Sequence, residues 1–357
     1  MERRTFLRLS GAAGLLPAVS IQSKSVLAAS QESGGNPDVK PNELQKSWMD
    51  MQFGMFIHFG INTYYDVEWS DGTLDPEKYN PTELDTDQWC RVASEAGMKY
   101  MVLVTKHHDG FCNWPTGYTD YSVTSTPWDG DLVGELVRSA RKYDLKVGFY
   151  YSLWDSHEPS HNLDDYAYVD FMKNQLRELL TGYGPIVELW FDGFWKKQRT
   201  GWQGNADEFI AAWRMEGAYR WQMDHLYQYI KELQPDCLVM NNSTGAYPGV
   251  PIHPVDIRSG EKATEVTDDQ KVWRWLGDEI YLPLQIETTM TRKGKDRFPT
   301  GSWFWHDWDH SAASKKQIME WLTTAEAMEA NLLLNVGPMA NGKLRPEDVS
   351  VLSSLRT

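Results

Sequence analysis

The chain has 357 residues, of which 41% are hydrophobic and 24% are charged, a balance typical of folded globular proteins rather than disordered ones. Its length allows one large domain or two ordinary ones. The net charge of −15 argues against a nucleic-acid partner, because phosphate binding needs basic surfaces. Beyond the N-terminal segment no stretch of about 18 apolar residues occurs, so the sequence predicts no membrane span.

Residues 1–28 have the pattern of an export signal. The pair Arg3-Arg4 precedes a modest apolar run, which resembles the twin-arginine signals that carry folded proteins across the bacterial inner membrane. Ala28 is a small residue at a plausible cleavage point. We therefore expect a periplasmic or secreted protein, with a flexible leader at residues 29–43.

The three cysteines, Cys90, Cys112 and Cys237, show no tight spacing. Because three is an odd number, at least one is expected to be a free buried thiol even after export to an oxidising compartment. The spacing contains no zinc motif.

From residue 48 onward, apolar segments alternate with amphipathic ones. The apolar segments predict eight strands, at residues 54–58, 100–105, 147–152, 186–193, 237–240, 255–261, 284–287 and 332–338. Helical spacing predicts helices at residues 83–96, 131–143, 168–180, 216–233 and 315–329, with a last helix from residue 345. Eight strands separated by helices is the count of an α/β protein of the (β/α)8-like (TIM) barrel type. An open doubly wound sheet is the competing topology, but no glycine-rich nucleotide-binding loop follows any strand.

The active site of such a barrel lies at the carboxyl ends of its strands. Polar side chains stand at most of the predicted strand ends: His58, His107, His108, Tyr151, Asp192, Asn241, Glu261, Glu287 and Asn335. Asp192 ends an apolar strand, where an ionised carboxylate costs several kcal/mol to bury unless it is paired. On this segment alone, a capping role for Asp192 is equally compatible with the sequence. The whole rim of polar residues favours a site.

Three kinds of chemistry could use this rim. Metal-dependent hydrolysis is disfavoured, because adjacent histidines on a strand point to opposite faces and no HxH or HExxH spacing occurs. Serine-based hydrolysis lacks a GxSxG turn. Glycoside hydrolysis by two carboxylates suits an acidic rim in a chain with 17 Trp and 17 Tyr, since sugar rings stack on aromatic faces.

Several short motifs, spread in order over residues 44–345, carry a family resemblance. They are FGMFIHFG at 53–60, EW at 68–69, KHHDGF at 106–111, YYS at 150–152, LWFD at 189–192 and NLLLNVGP at 331–338. Together they resemble the α-L-fucosidases of glycoside hydrolase family 29. The resemblance implies a (β/α)8-like catalytic domain, here at residues 44–357, and a retaining exo-glycosidase without metal or other cofactor. Its substrate would be a fucosylated oligosaccharide or glycoconjugate.

The resemblance also implies roles for individual residues. Asp192 falls at the nucleophile, and Glu261 ends DIRSGE, which resembles the family's acid/base pattern; Glu287 is a second candidate for the acid. The positions of sugar ligands or neighbours are His58, Glu68, Trp69, His107, His108, Tyr151 (with Tyr150 as a fallback), Trp190, Glu287 and Trp305. An apolar wall facing the sugar methyl is expected from Phe59 or residues 303–305. Hydrogen-bond donors are expected to keep the pKa of Asp192 low, with the acid/base about 5–5.5 Å away.

Two alternatives stay open, and the first follows from a departure from the family pattern. Many members carry Asn-Asp-Arg where this chain has Asn241-Asn242-Ser243, so a hydrolase of a related L-galacto-configured glycoside is one alternative. A carbohydrate-binding protein without catalysis is the other. The chain ends at Thr357, early in its predicted last helix, and no C-terminal β-sandwich is expected. The sequence predicts neither the linkage cleaved nor the oligomeric state.

Overall fold

The computed structural model describes residues 38–194, 218–242, 253–262, 264, 270–292 and 301–356. Contacts divide the chain into residues 1–33 and residues 34–357, and every described residue belongs to the second unit. The predicted export signal, most of the predicted leader and the start of the helix predicted from residue 216 lie outside the described residues. In the described ranges, no helix combines the length and the apolar character that crossing a membrane requires.

Eight parallel strands close into a barrel, as predicted. They are β1 (Phe53–Ile57), β2 (Tyr100–Lys106), β3 (Lys146–Ser152), β4 (Glu188–Asp192), β5 (Leu238–Asn241), β6 (Ile257–Glu261), β9 (Leu284–Thr289) and β10 (Asn331–Asn335). Each strand pairs with the next in this order, and β10 pairs with β1 to complete the ring. Polar residues at the carboxyl ends of these strands therefore meet at one rim.

An antiparallel hairpin between β6 and β9 was not predicted. Its strands, β7 (Val272–Trp275) and β8 (Asp278–Tyr281), form a separate two-stranded sheet. The turn is made by Leu276 and Gly277, both with positive φ (50° and 97°). Two positive-φ residues match the twist of a tight hairpin.

Most of the longer helices begin at a residue whose side chain caps the first turn. They are α1 (Glu43–Met49), α2 (Thr86–Ala96), α3 (Leu132–Lys142), α4 (Ser160–Leu163), α5 (Asp165–Gly182), α6 (Met223–Leu233), α7 (Lys315–Ala327) and α8 (Pro346–Ser353), with short 3-10 helices at Ile61–Tyr65, Pro76–Lys78 and Val123–Ser125. Asp85, Asp131 and Ser314 each accept a backbone N–H at a helix start.

Asn42 and Gln45 form a capping box, so α1 begins at Glu43, the last residue of the predicted leader. The helix predicted to run unbroken from residue 216 is interrupted before Met223, because Gln222 takes a left-handed conformation (φ 47°).

The strands separate the two larger apolar cores. The inner core fills the barrel and includes Phe56, Tyr100, Tyr150 and Trp190, whereas a larger outer core packs between the strands and the helices. A Cβ at Gly54 would stand 2.5 Å from the Tyr100 ring, so the glycine makes room for that ring. Cys90, Cys112 and Cys237 are all buried and unpaired, which confirms the predicted free thiol.

Candidate active site at the carboxyl rim of the barrel

Asp192 lies at the last position of β4, where the chain turns away from the barrel. The next residue, Gly193, has a φ of +74°, and a Cβ there would stand 2.7 Å from Cβ of Trp154. Only glycine therefore fits this turn without displacing its neighbours. The Gly193 N–H donates to Oδ1 of Asp192 at 2.7 Å.

The Asp192 carboxylate is held by donors from three strands. Oδ1 also accepts from Nδ2 of Asn242 at 3.1 Å, at the end of β5. Oδ2 accepts from the Tyr150 hydroxyl at 2.9 Å, and Nε2 of His108 lies 3.6 Å from it. The side chain keeps 18% of its surface exposed, so it remains accessible from the rim.

The expectation of a low pKa for Asp192 was wrong. Removal of the carboxyl group from water raises its pKa above the ordinary value, and this outweighs the hydrogen bonds from Gly193, Asn242 and Tyr150, which lower it. The donors thus limit a rise that burial would otherwise make larger.

Asn242 connects Asp192 with a second carboxylate. Its Nδ2 donates to Oδ1 of Asp192 at 3.1 Å and to Oε2 of Glu261 at 2.9 Å. The two hydrogens of an amide NH2 lie about 120° apart, so these two oxygens are about 5 Å from one another. If the nitrogen lay directly between them, the separation would still be only about 6 Å, the two distances combined.

Glu261 ends β6 and is exposed at the rim. Its pKa is raised, first because the surrounding rim removes water from the carboxyl and second because the Asp192 carboxylate repels its charge. Asn242 and Lys262 oppose the rise without cancelling it. A carboxyl that holds its proton to higher pH and still meets solvent can act as a proton donor.

Glu287 lies beside Glu261 in the strand register but inside the barrel, fully buried. Its Oε2 lies 3.1 Å from Oγ of Ser259 and accepts from N of Gly260 at 3.1 Å, and Oε1 lies 3.4 Å from Nε1 of Trp190. Burial raises its pKa well above the ordinary value, and the Glu261 charge adds to the rise. This placement favours Glu261 over Glu287 as the acid.

Three histidines form a cluster at the rim, and His108 is the one that lies beside the Asp192 carboxylate. The ring centroids of His58 and His107 are 5.8 Å apart, and those of His107 and His108 are 4.1 Å apart. β2 ends at Lys106, so the two adjacent histidines are not forced to opposite faces. Burial lowers the pKa of His58 and His108 to about 3 and that of His107 well below its ordinary value, so all three rings are neutral at neutral pH.

The hydrogen-bond network assigns a tautomer to two of these rings. Asn335 donates through Nδ2 to the Trp303 carbonyl, so its Oδ1, 2.7 Å from Nδ1 of His58, accepts from a protonated Nδ1. Ser152 donates to the Trp154 carbonyl, so its Oγ accepts from Nδ1 of His108 at 2.7 Å. In both rings Nε2 is left as an acceptor, suited to the hydroxyl groups of a ligand.

Comparisons with known proteins identify the family of this chain. The family model described as alpha-L-fucosidase matches residues 64–356. The chain belongs to the alpha-L-fucosidase family. It is 30% identical over 349 residues to Alpha-L-fucosidase 1 of Arabidopsis thaliana, which covers 92% of this chain and 63% of that protein.

Solved structures in this family share the fold. A glycoside hydrolase 29 family member from an unknown rumen bacterium is 31% identical, with a TM-score of 0.72 over 89% of this chain and 56% of that one. Alpha-L-fucosidase isoenzyme 1 from Paenibacillus thiaminolyticus is 28% identical, with a TM-score of 0.68 over 88% of this chain and 74% of that one. The chain thus spans less than two thirds of the length of the Arabidopsis and rumen relatives.

The tyrosine beside Asp192 is Tyr150, the fallback, and the placement of Tyr151 there was wrong. Successive residues of a strand point to opposite faces, and Tyr150 is the one that faces the barrel interior. The Tyr151 hydroxyl donates instead to Oε1 of Gln175 at 2.7 Å, in the outer core. Trp190 also points inward, and its ring stacks on Tyr150 with centroids 5.3 Å apart.

Glu68 holds a rim segment in place. Its Oε2 accepts from N of Trp303 at 3.0 Å, and Oε1 accepts from N of Phe304 at 3.1 Å and from Nε2 of His306 at 2.7 Å. His306 also contacts Oδ1 of Asp66 at 2.7 Å. Glu68 therefore braces residues 303–306 against the site, in addition to any contact it makes with a ligand. Trp69 is half-buried, and its ring centroid lies 6.1 Å from that of His108.

The rim aromatics come from the expected run 303–305, but not chiefly from Trp305. Trp303 and Phe304 contact His58, with ring centroids 5.1 and 5.4 Å away, whereas Trp305 is half-buried further along the same segment. Phe59 was wrong as an apolar wall, since it is fully buried against Tyr79 and Trp89 in the outer core.

Three residues of this site were missed by sequence reasoning: Asn242, Ser259 and His306. Asn242 was noticed only as a departure from the family pattern. Ser259 lies within the quoted DIRSGE motif, two residues before Glu261, and strand alternation would have put both on one face. For His306 the sequence offered no comparable signal, because its partners lie 238 and 240 residues away in the chain.

Proposed function

We propose that this chain hydrolyses terminal α-L-fucosides with retention of configuration, with Asp192 as nucleophile and Glu261 as acid/base. The observation that carries the proposal is that the Asn242 amide donates to both carboxylates, from which we infer an oxygen–oxygen separation of about 5 Å. Carboxyl groups about 5–5.5 Å apart are typical of retaining glycosidases, whereas inverting enzymes need about 6.5–9.5 Å to admit a water molecule.

In the first step an Asp192 oxygen attacks the anomeric carbon while Glu261 gives its proton to the glycosidic oxygen. The carbon–oxygen bond to the aglycone breaks, the alcohol leaves and a fucosyl ester forms on Asp192. Among the described residues Oδ1 has two N–H donors and Oδ2 has one hydroxyl donor. Oδ2 therefore keeps a lone pair for attack.

In the second step Glu261 must work as a base. Formation of the ester removes the Asp192 charge, and with it the repulsion that raises the pKa of Glu261. Glu261 then ionises more readily, takes a proton from water, and the resulting attack on the anomeric carbon releases fucose and restores Asp192. One change of charge thus fits the same carboxyl to both roles.

The neutral histidines and the rim aromatics support a sugar as the ligand. His58 and His108 present acceptor nitrogens to hydroxyl groups, and Trp303 and Phe304 add an apolar surface beside them. Fucose carries a methyl group where galactose carries a hydroxymethyl group, so an apolar wall would favour fucose by a factor of about 10–200. Family membership favours the same substrate.

A related L-galacto-configured glycoside is the second candidate, because Asn242 replaces the acidic residue that many family members carry. Rates on aryl α-L-fucoside, aryl α-L-galactoside and aryl β-D-galactoside should separate the two. The fucoside is expected to be hydrolysed fastest. Preference for the α-L-galactoside would move the assignment to the second candidate, and no turnover of any of the three would favour a binding protein.

The tyrosine pair on β3 offers a matched test of the site. Tyr150→Phe removes a hydrogen bond to a charged acceptor, so kcat should fall roughly 10- to 100-fold. Because that bond lowers the pKa of Asp192, its loss should also move the acidic limb of the pH profile to higher pH. Tyr151→Phe, the control, should leave kcat/KM within about twofold and lower the free energy of unfolding by about 1 kcal/mol. Equal loss of activity in both variants would contradict the assignment.

We also propose that residues 1–28 direct export. The Arg3-Arg4 pair before an apolar run is the feature that supports it. In a bacterial host, fractionation of the full chain should recover the protein outside the cytoplasm, and Arg3→Lys combined with Arg4→Lys should retain it inside. Equal export of both forms would count against a twin-arginine signal.

A further inference from the structure

We propose that Glu287 and Ser259 are positioning residues: a proton held on Glu287 lets Ser259 fix the orientation of the Asn242 amide, which in turn sets the two reacting carboxylates. This inference rests on the proposed function and extends it from the two carboxylates to the groups beneath them. It gives Glu287 a role other than that of an alternative acid.

The three side chains form a continuous line from the barrel interior to the rim. Oγ of Ser259 lies 3.1 Å from Oε2 of Glu287 and 3.2 Å from Oδ1 of Asn242. On its far side the same amide donates to Asp192 and Glu261. Glu287 itself has no solvent-exposed surface (0%), so this line begins inside the barrel.

Counting hydrogens along this line locates the proton. A serine hydroxyl has one hydrogen, so it can donate either to Glu287 or to Asn242 but not to both. Both contacts are full two-centre hydrogen bonds only if one of the acceptors brings a hydrogen of its own, since the alternative is one hydrogen shared between two acceptors. Oδ1 of Asn242 has none, so the hydrogen belongs to Oε2 of Glu287, which donates to Ser259, and Ser259 donates to Asn242.

If the oxygen and nitrogen of the Asn242 amide were exchanged, Glu287 would need no proton, but the site would lose hydrogen bonds. The exchange would turn the Asn242 carbonyl toward Asp192 and Glu261, placing three oxygen acceptors together in the site. It would also delete both hydrogen bonds that lower the pKa values of those carboxyls. The observed orientation is therefore the one that serves catalysis, and Ser259 is the group that selects it.

The surroundings of Glu287 suit a neutral acid. The N–H of Gly260 donates to Oε2 at 3.1 Å, and the acidic groups that act on Glu287 are Glu261 and Glu188. Burial first, and these negative charges second, raise the pKa of Glu287 well above its ordinary value.

Ser259→Ala tests the line, with kcat, KM and the pH profile of kcat/KM as readouts. In Ser259→Ala the Asn242 amide is no longer held in one orientation, so kcat should fall at least about tenfold with little change in KM. Both limbs of the profile should move to higher pH, because the Asn242 hydrogen bonds lower the pKa of Asp192 and of Glu261. Ser259→Thr, which keeps a hydroxyl, should restore the wild-type profile.

Ser139→Ala is the matched control. Ser139 is also a buried hydroxyl with a hydrogen-bond partner, Oγ1 of Thr86 at 2.8 Å, but it lies between α2 and α3. It should lower stability without moving the profile. An unshifted profile in Ser259→Ala would overturn the proposal, and an inactive wild-type chain would instead count against the proposed function.

Infrared spectroscopy gives a readout that needs no activity. At neutral pH the wild-type protein should show the C=O stretch of the protonated Glu287 carboxylic acid. That band should be missing from the spectrum of Glu287→Gln and present in the spectrum of Ser139→Ala. A wild-type minus Glu287→Gln difference spectrum that shows only carboxylate bands would overturn the assignment of the proton, whatever the activity of the chain.

Discussion

Asp192→Ala is expected to lower kcat on an aryl α-L-fucoside by on the order of 10⁴-fold, because the variant lacks the carboxylate that forms the fucosyl ester. Binding of fucose should survive, since the histidines and rim aromatics that face the sugar are untouched. Added azide should restore turnover by entering the space that the side chain leaves. Its product should be the β-L-fucosyl azide, because azide then attacks from the nucleophile's side.

The control for Asp192→Ala is a measurement that shows the variant is still folded. Asn242 and Tyr150 lose an acceptor in Asp192→Ala, so thermal unfolding should be followed to show that the barrel remains folded. A folded variant that retains more than about one hundredth of the wild-type kcat would contradict the assignment of Asp192.

Glu261→Ala should divide substrates by their leaving groups. For an alkyl or sugar aglycone, which needs protonation to leave, kcat/KM should fall about 10²- to 10⁴-fold. An activated aryl aglycone needs little protonation, so the first step should survive and the fucosyl ester should accumulate. Azide should then release the ester as the α-L-fucosyl azide, because it attacks from the side opposite to Asp192.

Glu287→Ala is the comparison for Glu261→Ala. Glu287 is buried beneath the rim, so its loss should affect substrates with good and poor leaving groups alike and should not be rescued by azide. Rescue of Glu287→Ala, with none for Glu261→Ala, would exchange the two roles.

The barrel was predictable because its signal is repeated along the chain. Eight apolar segments alternate with amphipathic ones, and any single error would have left the count recognisable. The hairpin β7–β8 was missed although a signal existed: two short segments flank Leu276-Gly277, and glycine is common in such turns.

The choice between Tyr150 and Tyr151 shows where sequence reasoning ends. β3 is buried on both faces from Val147 to Ser152, so its apolar pattern does not alternate and gives no sign of which tyrosine points inward. In a strand exposed on one face, the alternation would have decided it. The structure decides it through the contact of Tyr150 with Asp192.

The role of Asn242 depends on contacts that the sequence does not contain. Its partners are Asp192, 50 residues earlier, and Glu261, 19 residues later, and they meet only because β4, β5 and β6 are neighbours in the closed barrel. The departure at this position was visible, but its consequence was not. The raised pKa of Asp192 was missed for a similar reason, since burial is a property of the assembled rim.

The configuration of the first product tests the central claim most directly. Proton NMR of an aryl α-L-fucoside during early turnover, before fucose mutarotates, distinguishes the two anomers. Two carboxylates about 5 Å apart predict that α-L-fucose appears first. First release of β-L-fucose would contradict the double displacement through Asp192 and the site geometry on which it depends.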